Sequence, residues 1–197
     1  MEGALAFRRA FHVASPIFLA YYVLPEDLGG GVTRAAVTLL FLGTALCIEV
    51  ARIALGVHLF GMRPYEGRRV SAYMQGTAAL AFGIFAVQDP RIVVPVFVGM
   101  AWIDPLCALA RSRGWHRGIP VIAYAAVFLG VEAAISPFLP EPLGWPTQVL
   151  FALLATAIAM PLEGPRLPQI DDDFLMVFVP AAVLSAVAIA LRAGSLL

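Results

Sequence analysis

The chain has 197 residues, of which 61% are hydrophobic and 13% charged, with 13 basic against 13 acidic residues and a formal net charge of zero. Together with a mean hydropathy of +0.88, these values exclude a soluble globular domain and predict a multi-pass membrane protein. They also argue against nucleic acid as a partner, because a basic stripe to follow a phosphate backbone is missing.

Seven apolar stretches run over residues 10–25, 35–57, 71–88, 91–104, 119–138, 147–162 and 174–192. Most reach the ~17–25 residues that a membrane-crossing helix needs. The fourth is short and must tilt or continue helically through Asp104. The stretches and their connectors use up the length, so the expected fold is a single all-α transmembrane domain over residues 1–197, a bundle of about seven helices. Arg8-Arg9-Ala10-Phe11 ahead of the first stretch has the look of a twin-arginine export signal, but six further stretches and the lack of an A-x-A site predict that it is retained as the first helix.

The connectors alternate in character. Those at 25–31, 88–90 and 140–146 are short and turn-like, whereas those at 58–69, 111–118 and 163–173 are longer and richer in charge. Arg8, Arg9, Arg52, Arg63, Arg68, Arg69, Arg111, Arg113, Arg117 and Arg166 fall on the second side, against Arg34, Arg91 and Arg192 on the first. Arginine is retained in cytoplasmic loops, which predicts a cell-membrane protein with its N-terminus and its active face cytoplasmic and its C-terminus outside.

All thirteen basic residues are arginine, which excludes a Schiff-base lysine and a phosphate-loop lysine. Any bound phosphate must be held by guanidinium groups. Cys47 and Cys107 have neither a metal-ligand nor a disulfide spacing and read as packing residues.

The polar groups come in blocks. Arg8 and His12 share one face of the first helix, offering either a phosphate or hydroxyl contact or an interfacial hydrogen bond within the bundle. Glu49 and Arg52 share a face of the second helix at a depth where a lone carboxylate is costly; they form a structural ion pair, or Glu49 helps hold a cation while Arg52 faces phosphate. The loop from Arg63 to Arg69 reads mainly as a contact with anionic lipid headgroups, with a direct catalytic role as the weaker alternative. Asp104 before Pro105 is placed to cap a new helix, and Arg111, Arg113, His116 and Arg117 follow it. Glu163 and the run Asp171-Asp172-Asp173 lie against an apolar stretch at headgroup level. They either form a solvated helix cap or hold a divalent cation, with Mg²⁺ bound by one or two carboxylates and substrate phosphates as the usual arrangement.

In this order the blocks resemble the CTP-dependent polyprenol kinase family, which includes dolichol and phytol kinases, and most closely its small archaeal dolichol-kinase-like members. The resemblance is carried by Arg8-Arg9-Ala10-Phe11-His12, Glu49-Val50-Ala51-Arg52, Asp104-Pro105-Leu106-Cys107-Ala108 and Ile170-Asp171-Asp172-Asp173. Ile103 and Asp173 depart from the family's glycine and asparagine, and its later Lys-Ser/Thr-x-Glu-Gly segment is not evident after Arg117. The resemblance implies a Mg²⁺-dependent kinase that transfers the γ-phosphoryl group of CTP to a polyprenol or dolichol-type alcohol. In that reading Asp171, Asp172, Asp173, Glu49 and Glu163 supply metal ligands, and Arg8, Arg9, Arg52 and Arg111 clamp phosphates. Asp104, or else His12, is the expected base. Rival expectations are a cytidylyltransferase that forms a CDP-lipid, a transporter using Glu49 and Arg52, and a non-catalytic scaffold. The kinase reading requires His12, Glu49, Arg52, Asp104 and the three aspartates to converge on one pocket.

Overall fold

A computed structural model of the chain describes residues 2–194 apart from 165, 166 and 168; for Glu2, Leu5, Pro64 and Arg68 only the backbone is described. Arg166, one of the arginines of the 163–173 connector, lies outside the described residues. The fold is all-helical. Seven α-helices follow one another: α1 (Glu2–Ala14), α2 (Arg34–Leu55), α3 (Ala72–Phe82), α4 (Pro90–Arg113), α5 (Gly118–Ile135), α6 (Trp145–Leu162) and α7 (Asp172–Ala193). Among the described residues extended pairing is confined to a single bridge between Asp27 and Thr33.

Five helices, α2, α4, α5 with its extension to Phe138, α6 and α7, are long and apolar enough to cross a membrane. The other two expected spans are shorter. The first is composite: α1 stops at Ala14, and Ser15-Pro16 starts a 3₁₀ helix over Ser15–Tyr22, where proline lacks the donor that would continue the α pattern. The third is α3, prolonged by a π-helical turn over Gly83–Val87.

Local chemistry sets the helix ends. Thr33 and Ser71 accept hydrogen bonds from the Ala36 and Met74 amides at the starts of α2 and α3, satisfying donors that the first turn leaves free. Gly114 ends α4 in the left-handed conformation at φ 67°, which glycine adopts without a Cβ penalty. Asp104 does not begin a new helix: α4 runs unbroken from Pro90 through Pro95 and Pro105 to Arg113. Proline inside a membrane helix is tolerated where neighbouring helices accommodate the freed carbonyl.

Helix α4 forms the centre. Ile92, Val96, Phe97, Met100 and Ile103 are buried against Tyr124 and Phe128 of α5 and Met176, Val177 and Leu184 of α7. Two glycines permit the close approach. A Cβ on Gly83 would lie 2.7 Å from Val93 Cγ1, and one on Gly99 would lie 2.9 Å from Tyr124 Cζ. Helix α2 is different: its buried residues are Glu49 and Arg52 alone, while Leu39, Leu40, Ile48 and Val50 face outward. An exterior this apolar is what a helix facing lipid presents.

Candidate functional site

The site lies at the arginine-rich end of the bundle, where α1, α4, the start of α7 and the connector before α3 meet. Helix α1 packs on α4 and carries His12 between two carboxylates. His12 Nε2 is 3.9 Å from Asp104 Oδ2, and His12 Nδ1 is 3.7 Å from Asp173 Oδ2. Both distances exceed a hydrogen bond. One turn earlier, Arg8 donates to Glu66 Oε1 at 3.2 Å and stands 4.0 Å from Asp173 Oδ2.

Several buried polar atoms here have no hydrogen-bond partner among the described residues: His12 Nε2, Asp173 Oδ1 and the Tyr73 hydroxyl. Buried polar groups are nearly always paired, so this cluster is incomplete without a ligand, an ion or water. The acids fall into three overlapping sets, each with ligand atoms within 4.8 Å of one another: His12, Asp104 and Asp173; Asp104, Glu163 and Asp172; and Asp171, Asp172 and Asp173. The all-oxygen set of Asp104, Glu163 and Asp172 has the donor chemistry that Mg²⁺ requires.

Of these groups His12, Asp104 and Asp172 border a cavity of about 670 Å³, whose lining also includes Arg8, Arg9, Arg63 and Arg111. Arg111 is ion-paired with Glu163. The pair also borders a second cavity of about 600 Å³, which is lined further by Trp115 and Arg117. Guanidinium groups around clustered carboxylates can receive a phosphate chain and the cation that accompanies it.

Glu49 and Arg52 are not among these groups. Arg52 Nε and Nη2 donate to the two carboxylate oxygens of Glu49 at 3.0 and 2.6 Å, and Ser71 donates to the same oxygens through its amide at 2.6 Å and its hydroxyl at 3.0 Å. Arg52 Nη1 also donates to the carbonyl of Glu66 at 3.1 Å, and Nη2 to that of Arg69 at 2.6 Å. Neither residue lines the cavity. The expectation that Glu49 binds a cation and Arg52 a phosphate is therefore corrected: every oxygen and nitrogen is spent on holding α2 to the connector before α3.

Asp171 is likewise occupied. It caps α7 through the Asp173 amide, its own amide donates to Gln75 Oε1 at 2.7 Å, and its Oδ2 accepts from Arg63 at 3.4 Å. It lines no part of the 670 Å³ cavity.

The Arg63–Arg69 connector folds inward instead of lying wholly on the headgroups. Glu66 is completely buried between Arg8 and the Arg63 amide, and Arg63 lines the cavity. Partial burial disfavours the Arg63 charge, but the Tyr65 hydroxyl and the Asp171 carboxylate outweigh it, so its pKa lies above the ordinary guanidinium value. Arg63 and Glu66, read from the sequence mainly as part of a headgroup loop, and Gln75, which no sequence pattern singled out, belong to the site's surroundings. The one local signal was Glu66 three residues after Arg63 at the start of a helical turn, the spacing of a capping box.

No protein-family model, curated protein or solved structure matches this chain.

Proposed function

We propose that the chain is a membrane lipid kinase that transfers the γ-phosphoryl group of CTP to a polyprenol or dolichol-type alcohol. The observation that carries this reading is the cavity bordered at once by Asp104, Asp172, His12 and the guanidinium groups of Arg8, Arg9, Arg63 and Arg111. Phosphoryl transfer asks a protein mainly for alignment and charge neutralisation, and these are the groups that supply them. In this arrangement the seven helical elements alternate across the membrane, with the composite first segment and α3 as the two short crossings. The cavity then faces the cytoplasm, where nucleotide is present, and the C-terminus lies outside.

Asp104, Glu163 and Asp172 would hold Mg²⁺, which when bound offsets charge on the phosphoryl oxygens. Arg8, Arg9, Arg63 and Arg111 bind the phosphate chain, and the neighbouring cavity with Trp115 and Arg117 takes the nucleoside. The alcohol oxygen attacks the γ-phosphorus, the bond to the β–γ bridging oxygen breaks, and CDP departs with that oxygen. The hydroxyl proton passes to His12 Nε2, which has no partner and borders the cavity. Asp173 Oδ2 lies 3.7 Å from Nδ1, on the other side of the imidazole. This moves the base from Asp104 to His12 and leaves Asp104 to the cation.

The test is an assay of purified protein in detergent with γ-labelled CTP or ATP, against polyprenol, dolichol and diacylglycerol, with and without Mg²⁺. Label on the alcohol, dependent on Mg²⁺, is expected with γ-labelled CTP. Lipid labelled from α-labelled CTP instead would identify a cytidylyltransferase, and unlabelled lipid in every combination would defeat the proposal.

A further inference from the structure

The polar cavity has an apolar continuation. Arg8 and His12 also line a narrower void of about 80 Å³, with Asp173 beside them and Phe18, Phe41 and Leu80 farther along. Phe18, Phe41, Thr77 and Leu80 in turn line a third cavity of about 260 Å³, which proceeds past Leu42, Ala81 and Ile84 and is bordered by Leu24, Leu28 and Arg34. Successive voids thus share walls. They lie in a row from the carboxylates to the opposite half of the bundle, along α2 and α3. From Tyr73 to Ile84, eleven residues on, the voids follow α3 and the start of the π-helical turn, roughly 16 Å at the α-helical rise.

Three observations distinguish this row from a packing fault. Helix α2 is fixed by the Glu49–Arg52 clamp near its end and buries no other residue, so its wall against α3 is not closed by interlocking side chains. Gly76 lines the narrow void, and a Cβ built on it would meet nothing within 4 Å, whereas protein interiors are close-packed. At the polar mouth Asp173, 5% exposed, has an Oδ1 atom without a partner, and the Tyr73 hydroxyl beside it is unpartnered too. The crevice is mostly apolar along its length, with unpartnered polar atoms at the acid end and Arg34 already bonded to the Tyr21 and Leu24 carbonyls at the other, the chemistry of a long-chain alcohol.

We infer that this crevice seats the hydrocarbon chain of the acceptor, and that the narrow void bordered by Gly76 limits it to a single chain and turns away two-chain glycerides. The identity of the head as an alcohol rests on the phosphoryl-transfer reading above; the seat of the chain does not. The shared lining of Arg8 and His12, with Asp173 on the narrow void and Asp172 on the wide one, puts the head of such a molecule at the acids while its tail lies between α2 and α3.

The test uses the whole protein in detergent with a twenty-carbon isoprenoid alcohol that carries a diazirine near its chain end, with adducts mapped by peptide mass spectrometry and no nucleotide present. Adducts are expected on Leu42, Ala81 and Ile84. They should fall roughly tenfold in Gly76→Phe, whose ring would occupy the narrow void. Excess unlabelled single-chain alcohol should compete them away, and diacylglycerol should not. Adducts spread evenly over outward positions such as Leu40 and Ile122, or adducts indifferent to Gly76→Phe, would overturn the inference; competition by diacylglycerol would overturn the single-chain bore. If Gly76→Phe does not fold, the wild-type adduct map and the competition decide by themselves. Crevice adducts without phosphate transfer would leave the chain seat standing and remove the kinase, and transfer with adducts elsewhere would do the reverse.

Discussion

Two buried clusters of carboxylate and base stand at the same end of this bundle and have opposite characters. In the clamp, Glu49 and Arg52 satisfy each other, and the remaining valences go to Ser71 and two carbonyls. In the acid cluster, His12 stands off from Asp104 and Asp173 by more than a hydrogen bond, and oxygen and nitrogen atoms are left without partners. The first is a closed network and the second an open one beside a cavity. Charge alone does not tell a structural site from a chemical one. Saturation of its hydrogen-bonding capacity does, because a satisfied buried network rigidifies whereas an unsatisfied one calls for a further group.

Substitutions that separate activity from stability can break this contrast. The largest effect is expected in the open cluster, where Asp104→Asn should lower turnover by about 10²–10⁴-fold, the usual weight of a positioned catalytic group. Its thermal midpoint should hold or rise, since one of several mutually repelling carboxylates is neutralised. A large fall in the midpoint would show that Asp104 is structural. In the closed cluster Glu49→Gln should do the opposite. It leaves the buried Arg52 uncompensated, a loss of about 3–5 kcal/mol that would appear as a lowered melting temperature in detergent. Activity measured below that temperature should persist, and a folded but inactive variant would return Glu49 to the site.

Smaller effects sharpen the boundary between the two. Arg63→Ala removes a phosphate contact from a partly exposed position, so the KM for nucleotide should rise about tenfold, equivalent to ~1.4 kcal/mol, with kcat little changed. A change confined to kcat would move Arg63 to the reacting atoms. Ser71→Ala removes both the α3 cap and one donor to Glu49. It should cost about 0.5–2 kcal/mol in unfolding experiments and leave both kinetic constants alone.

Much of the site could be read along the chain. The spacing of Arg8 and His12 puts both on one helical face, and the structure brings that face to Asp104 and Asp173. The helical stretches were legible from apolar runs, and the caps at Thr33, Ser71 and Asp89 are ordinary N-cap residues. The Asp104–Pro105 step misled because proline after an acid reads as a helix start in water. Here α4 continues through it, as packing on several neighbours allows. The Arg63–Arg69 connector misled for a different reason: its charges suit a headgroup layer, and their inward course depends on the buried Glu66 meeting Arg8 on another helix.

The sequence by itself determined the all-helical character, the places of five helices long and apolar enough to cross a membrane and the presence of acids and arginines in a few blocks. Those follow from hydropathy and from 3.6-residue periodicity, which are local quantities. Only the tertiary structure decided which of those acids are spent and which remain free. Glu49 is satisfied by Ser71, 22 residues away, and the Asp171 amide by Gln75, 96 residues away. Hydrogen-bond saturation depends on partners brought together by packing, and the intervals between those partners follow no period that a single chain displays.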